Sequence, residues 1–172
     1  HFDHSETLWA IYTDPYLSFS LETCFVLEDG LGLAGYSLAS LDAAAMHAWA
    51  ENEWLPPFRQ RFPLRDKTAR TEEDQKMVEL IHQPFPLIPW ISDYPSELHI
   101  DLLPRAQKQG QGRALLDALF TRLRALGSVG VHLGVGAENT NAQAFYHHIG
   151  FTDLFVFPDG ARIMGYKFTP SN

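Results

Sequence analysis

The hexapeptide QKQGQG, Gln107 to Gly112, stands between an apolar run, ELHIDLL (97–103), and a helical pattern, RALLDALFTRLRAL (113–126). Two glycines one residue apart at a strand-to-helix turn leave backbone N–H groups bare at the positive end of a helix. Such donors suit a phosphate group. Lys108 and Arg113 stand beside them and could add charge-assisted contacts. The stretch lacks G-x-x-x-x-G-K-[ST], so it is not a nucleoside-triphosphate loop. It also lacks G-x-G-x-x-G with a following acidic strand end, which speaks against a dinucleotide fold. The alternative is a glycine-rich turn with no functional weight. Just upstream, strand alternation puts Glu97, His99 and Asp101 on one face and Leu98, Ile100 and Leu102 on the other. Three ionisable side chains on one face of a central strand suggest a wet cleft, the alternative being that they only hydrogen-bond neighbouring strands.

These residues need elements to hold them. Residues 5–12 read as a short helix ended by Asp14-Pro15. Residues 17–28 and 31–39 read as strands joined by Asp29-Gly30, a hairpin signal. Residues 42–54 read as a helix stopped by Leu55-Pro56-Pro57, and 71–82 as a helix opened by Thr71 with Asp74. The stretch PFPLIPWISDYP (84–95) reads as an ordered loop, because a linker would be poor in Phe and Trp. A strand over 97–103 follows, then the glycine loop. The helix over 111–126 carries Leu115, Leu119, Leu123 and Leu126 on one face and ends at Gly127. A strand over 131–135, a helix over 139–148 ended by Gly150, and strands over 151–157 and 162–168 complete the chain. The pattern predicts one α+β domain over 1–172 with a mixed sheet, in which 42–95 is a helical, aromatic-rich insertion.

A second stretch adds to the first. It is GVGAENTNAQAFYHHIGF, Gly134 to Phe151. Together the two resemble the GNAT superfamily of N-acetyltransferases. Its acyl-CoA loop, [Q/R]-x-x-G-x-[G/A], is matched by Gln107, Gly110 and Gly112. Its later segment, N-x-x-A-x-x-x-Y-x-x-x-G-F, is matched by Asn139, Ala142, Tyr146, Gly150 and Phe151. The resemblance implies a mixed, mostly antiparallel sheet with a central parallel β-α-β unit flanked by helices. A narrower resemblance rests on CFVLEDGLGLAGYSLASLD and LGSVGVHLGVGAENTNAQAFYHHIGF. These look like the C-terminal acetyltransferase-like domain of the O-GlcNAc-removing glycoside hydrolase and its free-standing bacterial relatives. The animal domain has lost much of the acyl-CoA loop, whereas this sequence keeps Gln107, Gly110 and Gly112. Superfamily members usually begin with a strand and helix ahead of the first helix read here, so the chain is expected to lack that pair.

The chemistry implied is transfer of acetyl from acetyl-CoA to an amine that attacks the thioester directly. The resemblance makes Gln107, Lys108, Gln109, Gly110, Gln111, Gly112 and Arg113 the pyrophosphate cradle. It assigns cofactor alignment, and an N–H for the thioester oxygen, to the backbone of Leu102 and Leu103. Asn139 fits a position that touches the pantetheine or merely caps the next helix. Asn141 and Phe145 are weaker contact candidates. Tyr146 matches the general acid: a phenol of pKa about 10 is protonated at neutral pH and can donate to a departing thiolate. For the base the candidates are Asp101, His99 and Glu97. Asp101 accepts a proton poorly unless its pKa is raised, and His99 has the better intrinsic value. The alternative is a non-catalytic module that binds acyl-CoA or recruits a partner.

Composition narrows the rest. The formal net charge is −8, and no basic stripe is visible, so nucleic acid is not expected as a partner. A small amine or a peptide amine suits an acidic surface. No long apolar stretch and no signal-peptide pattern is present, so no membrane role is expected. The single cysteine, Cys24, fits a reducing, cytoplasmic compartment. His1, His4, His47, His82, His132, His147 and His148 make no convincing ligand set, so no metal is expected. The aromatics of the insertion, Trp49, Trp54, Phe58, Phe62, Phe85, Trp90 and Tyr94, could wall an acceptor pocket or form a satellite core.

Overall fold

Local signals set most element boundaries in the computed structural model, which describes residues 5–64, 71–86 and 88–169. Helix α1 spans Ser5–Tyr12 and α2 spans Asp14–Phe19. Asp14-Pro15 therefore opens a second helix as well as ending the first, because a proline in the first turn needs no N–H. The strand expected over 17–28 begins only at Cys24, after a 3-10 turn at Leu21–Thr23. Strands β1 (Cys24–Asp29) and β2 (Gly32–Ser40) form the predicted hairpin. Asp29 closes its turn by accepting the Leu31 N–H at 2.8 Å.

Asp42 caps α3 (Ala43–Trp49) by accepting the Ala45 N–H. A π-helical turn at Ala50–Trp54 then leads into α4 (Leu55–Arg61). Pro56 and Pro57 fall in the first turn of α4 and start it, so the helix does not stop where the prolines predicted. Helix α5 (Glu72–His82) carries the Thr71–Asp74 capping box read from the sequence. Among the insertion's aromatics, Trp54, Phe58, Phe62 and Phe85 pack with Leu55, Val78 and Ile81 into a second core. Trp54 also donates its Nε1 to Ala10 O at 2.8 Å, fastening this core to α1. These four rings are structural filling rather than a pocket wall.

The remaining elements are β3 (Ser96–Leu102), α6 (Gln111–Ala125), β4 (Gly130–Val135), α7 (Thr140–Ile149), β5 (Thr152–Val156) and β6 (Arg162–Lys167). They complete a six-stranded sheet of order β1-β2-β3-β4-β6-β5. All neighbours are antiparallel except β3 and β4. Two of the four leucines on the predicted face of α6, Leu119 and Leu123, are fully buried in the main core, where Leu116 joins them against Leu98, Val131, Leu133 and Met164. Leu115 is buried outside this cluster and Leu126 is half-buried, so the buried stripe is turned toward Leu116. Among the described residues no helix is long and apolar enough to cross a membrane.

One irregularity of the sheet makes the site. β3 and β4 pair only at their first residues, Ser96 beside Val131 and Glu97 beside His132. Beyond that the parallel ladder stops, and a cleft opens between Leu98–Asp101 and Leu133–Gly136.

Candidate active site

The cleft brings three elements together. β3 contributes His99 and Asp101, β4 contributes Leu133 to Val135, and α7 contributes Tyr146 and, from its cap, Asn139. Asn139 accepts the Ala142 N–H at 3.2 Å, so it serves as an N-cap and also lines the cleft. Asn141 is exposed and does not line it.

At one end of the cleft, β3 runs into the glycine loop and α6. The two glycines do different work. Gly110 is the residue before α6 and has φ 78°, a conformation that L side chains resist. A Cβ there would meet nothing within 4 Å. Gly112 is a packing glycine: its Cβ would stand 3.1 Å from Leu102 Cδ1 and 3.2 Å from Phe145 Cζ. Phe145 thus seats α7 on α6 rather than lining the cleft. The first N–H of α6 to reach a helical carbonyl belongs to Ala114, which donates to Gly110 O. The N–H groups of Gln111, Gly112 and Arg113 are left for a ligand.

The side chains of the loop turn back on the protein. Gln107 donates to Leu102 O at 2.9 Å and Gln109 to Arg105 O at 2.7 Å. Arg113 is paired with Asp117 at 2.8 Å. Lys108 is exposed, at φ 60°. The groups the loop presents are therefore chiefly backbone amides. Leu103 departs from expectation, because its N–H donates to Ala34 O at 2.8 Å across to β2. Alternation turns the N–H of Leu102 to the opposite edge, where β4 has diverged.

Tyr146 is 7% exposed and its ring packs on Phe145 and Phe151. No hydrogen-bond partner for its hydroxyl exists among the described residues. Burial and then the Asp101 charge push its phenol up to about 12, so it is protonated at neutral pH.

Glu97, His99 and Asp101 share one face as predicted, but each meets a different partner. The Glu97 carboxylate accepts from His47 Nε2 at 2.7 Å. Burial pushes this carboxyl up, yet the His47 hydrogen bond and the His47, His132 and His99 charges outweigh it and hold it low. Glu97 is thus an anchored ion rather than a free base. His99 stands edge-on to Tyr12 and Tyr16, with centroids 5.5 and 5.4 Å away. Burial lowers its pKa, against the charges of Glu97 and Asp101, and leaves the ring neutral. Asp101 is exposed in the cleft and accepts from the Tyr36 hydroxyl at 2.7 Å.

Tyr36, Tyr12 and Tyr16 escaped the sequence reading, and His47 entered it only among the histidines that make no ligand set. Tyr36 faces Asp101 across the β2–β3 ladder, a register that only the pairing of the two strands reveals. Among the described residues no group of three His, Cys, Asp or Glu side chains is placed to hold a metal ion. His1 and His4 lie outside the described residues.

The buried imidazoles make the fold acid-sensitive. His132 donates Nδ1–H to Tyr94 O at 2.8 Å, and burial holds its pKa below the ordinary value. His99 is shifted the same way. A histidine depressed in the fold binds its proton earlier in the unfolded chain. Stability is therefore lost as pH falls through about 6.5, by up to about 1.4 kcal/mol per pH unit for each ring. Glu97 adds a loss at lower pH, as its depressed carboxyl is protonated. Urea unfolding is expected to show a lower midpoint at pH 5.5 than at pH 7.5, with a smaller drop in His132→Gln. Equal midpoints at the two pH values would refute this.

Comparison with known proteins bears on the family and the fold. The model of the acetyltransferase (GNAT) family matches residues 43–151. The crystal structure of SsHAT superposes with a TM-score of 0.84 at 36% identity, covering 97% of this chain and 83% of that one. The O-GlcNAcase of Rattus norvegicus is 25% identical over 154 residues, which is 87% of this chain but 17% of that protein. The [ribosomal protein bS18]-alanine N-acetyltransferase of Haemophilus ducreyi is 37% identical over 65 residues, 34% of this chain and 45% of that protein.

Proposed function

The chain belongs to the GNAT acetyltransferase family, and from that membership we propose that it moves acetyl from acetyl-CoA to the amine of a small molecule or peptide. The carrying observation is the cleft where β3 parts from β4. His99, Asp101 and Tyr146 line one space there, and β3, which forms one wall of it, runs on into the loop that precedes the unengaged N–H groups of α6. The residues present fit the cosubstrate. Open space around Gly110 and the amides of Gln111, Gly112 and Arg113 suit a pyrophosphate. The N–H of Leu102, on the parted edge of β3, is the donor suited to a thioester oxygen. Acetyl-CoA supplies the activated acetyl group as a thioester.

The chain's own groups divide the remaining work. His99, neutral at physiological pH, can take the proton that the amine must lose. Asp101 keeps one carboxylate oxygen on Tyr36 and has its other to hold an ammonium before that proton leaves. Tyr146 donates a hydrogen bond toward the leaving sulfur. A peptide amine is a reasonable acceptor because the bS18-alanine N-acetyltransferase relative is named for a protein amine. The second reading is a module that binds acyl-CoA without turnover. It draws on the O-GlcNAcase relationship, in which this chain spans a small part of a longer protein.

Calorimetric titration with acetyl-CoA tests the proposal, with CoA and a Gly110→Glu variant alongside. The variant adds a strained left-handed side chain and a negative charge where the phosphate sits, so affinity is expected to fall by more than about tenfold. Equal binding by the variant would remove the loop from the site. Binding without CoA release on any amine would favour the second reading.

A further inference from the structure

We infer that Arg105 is a positioning residue for the glycine loop, tying it to the end of the β1–β2 hairpin. The inference rests on the acetyl-CoA reading given above. Arg105 lies in the 3-10 turn Pro104–Ala106, between β3 and the loop. Its Nε donates to Asp29 Oδ2 at 2.8 Å. Its Nη2 donates to Leu33 O at 2.7 Å and reaches Asp29 Oδ1 at 3.5 Å. Asp29 is itself fixed, because it accepts the Leu31 N–H. The neighbouring Leu103 N–H is held by Ala34 O, so one end of the hairpin grips the chain on both sides of Pro104.

From there the connection runs into the loop. The Arg105 carbonyl accepts Gln109 Nε2 at 2.7 Å. Asp29, Arg105 and Gln109 form a continuous series of hydrogen bonds that ends one residue before Gly110. The loop needs such a tie. Lys108 and Gly110 both hold positive φ, at 60° and 78°, and a Cβ at Gly110 would touch nothing within 4 Å. Packing of Gly112 on Leu102 and Phe145 holds the first turn of α6, but at Gly110 there is little packing, so hydrogen bonds set the path of the loop into those amides, and amide direction decides phosphate affinity. A guanidinium already engaged by a carboxylate and a carbonyl acts on the ligand through the loop, not by touching it.

The test is a double-mutant cycle read by acetyl-CoA titration, on Arg105→Ala, Asp29→Ala and the pair. Arg105→Ala is expected to weaken acetyl-CoA binding by about fivefold, and Asp29→Ala by less, because the ion pair is exposed and Arg105 keeps the Leu33 carbonyl when Asp29 is removed. The pair is expected to be no weaker than Arg105→Ala alone. With acetyl-pantetheine, a donor without the nucleotide phosphates, KM and kcat are expected to match the native protein in all three. That readout separates positioning of the phosphate site from general loss of structure, which would lower both donors together. Normal binding in Asp29→Ala beside weak binding in Arg105→Ala would overturn the inferred tie through Asp29. Additive losses, or no loss in either single variant, would overturn it too. Failure of the native chain to bind acetyl-CoA is read first. It would bring down the acetyl-CoA reading itself, and this inference with it.

Discussion

Tyr146→Phe is expected to lower kcat by about 10²- to 10³-fold while acetyl-CoA affinity stays within about twofold. The substitution removes one oxygen and keeps the ring that packs on Phe145 and Phe151, so the fold and the cradle at α6 are untouched. The hydroxyl has no partner among the described residues and lines the cleft, so its loss leaves no protein group unsatisfied. On the proposed reading its value lies in the bond it would make when negative charge develops on sulfur. A phenol pushed to about 12 is a weaker acid than a thiol of pKa about 8.5. Complete proton transfer would cost about 5 kcal/mol from that difference, so Tyr146 serves best as a hydrogen-bond donor to the leaving sulfur. This gives a second signature. The fold-loss in kcat is expected to be the same from pH 6 to 9, because the phenol does not titrate there. Steady-state kinetics across that range, with titration of acetyl-CoA, checks both points. Unchanged turnover would end the role of Tyr146, and a loss confined to high pH would mean full proton donation.

His99→Ala is expected to lower kcat/KM by about 10²-fold near neutral pH and to flatten the limb below pH 6.5. The sign follows from the direction of the shift. Burial lowers the His99 pKa more than Glu97 and Asp101 raise it, so the ring is neutral and able to accept a proton at neutral pH. In the native protein, activity is expected to fall as acid charges that ring. Without it the fall has no cause in the strand, unless Asp101 takes over. Asp101→Asn separates the two: it is expected to raise KM for the amine while keeping the acid limb. Because His99 packs between Tyr12 and Tyr16, the variant's melting temperature is measured alongside, and a folded variant with a normal limb refutes the assignment. A limb unaltered in His99→Ala, Asp101→Asn and Glu97→Gln alike would take β3 out of the proton path.

Features that depend on near neighbours were legible from the residues alone. The Asp29-Gly30 hairpin, the Thr71–Asp74 box, the leucine face of α6 and the Asn139 cap each involve groups a few positions apart. Their energetics hardly depend on the rest of the chain, so the order of strands and helices after residue 96 could be written down directly. So could the glycine loop and the motif around Tyr146. Prolines misled, because Pro15, Pro56 and Pro57 can open a helix as readily as they close one. Folding in space decided what the ionisable groups do. Alternation correctly put Glu97, His99 and Asp101 on one face, yet it could not say that His47, 50 residues away, holds Glu97. Nor could it say that Tyr36, 65 residues away, holds Asp101. The parting of β3 from β4, the capture of the Leu103 N–H by Ala34 and the Arg105–Asp29 tie are of the same kind. A hydrogen bond across such separations depends on how whole sheets and helices pack. No local periodicity encodes that packing, although it determines which base is free and where the amides point.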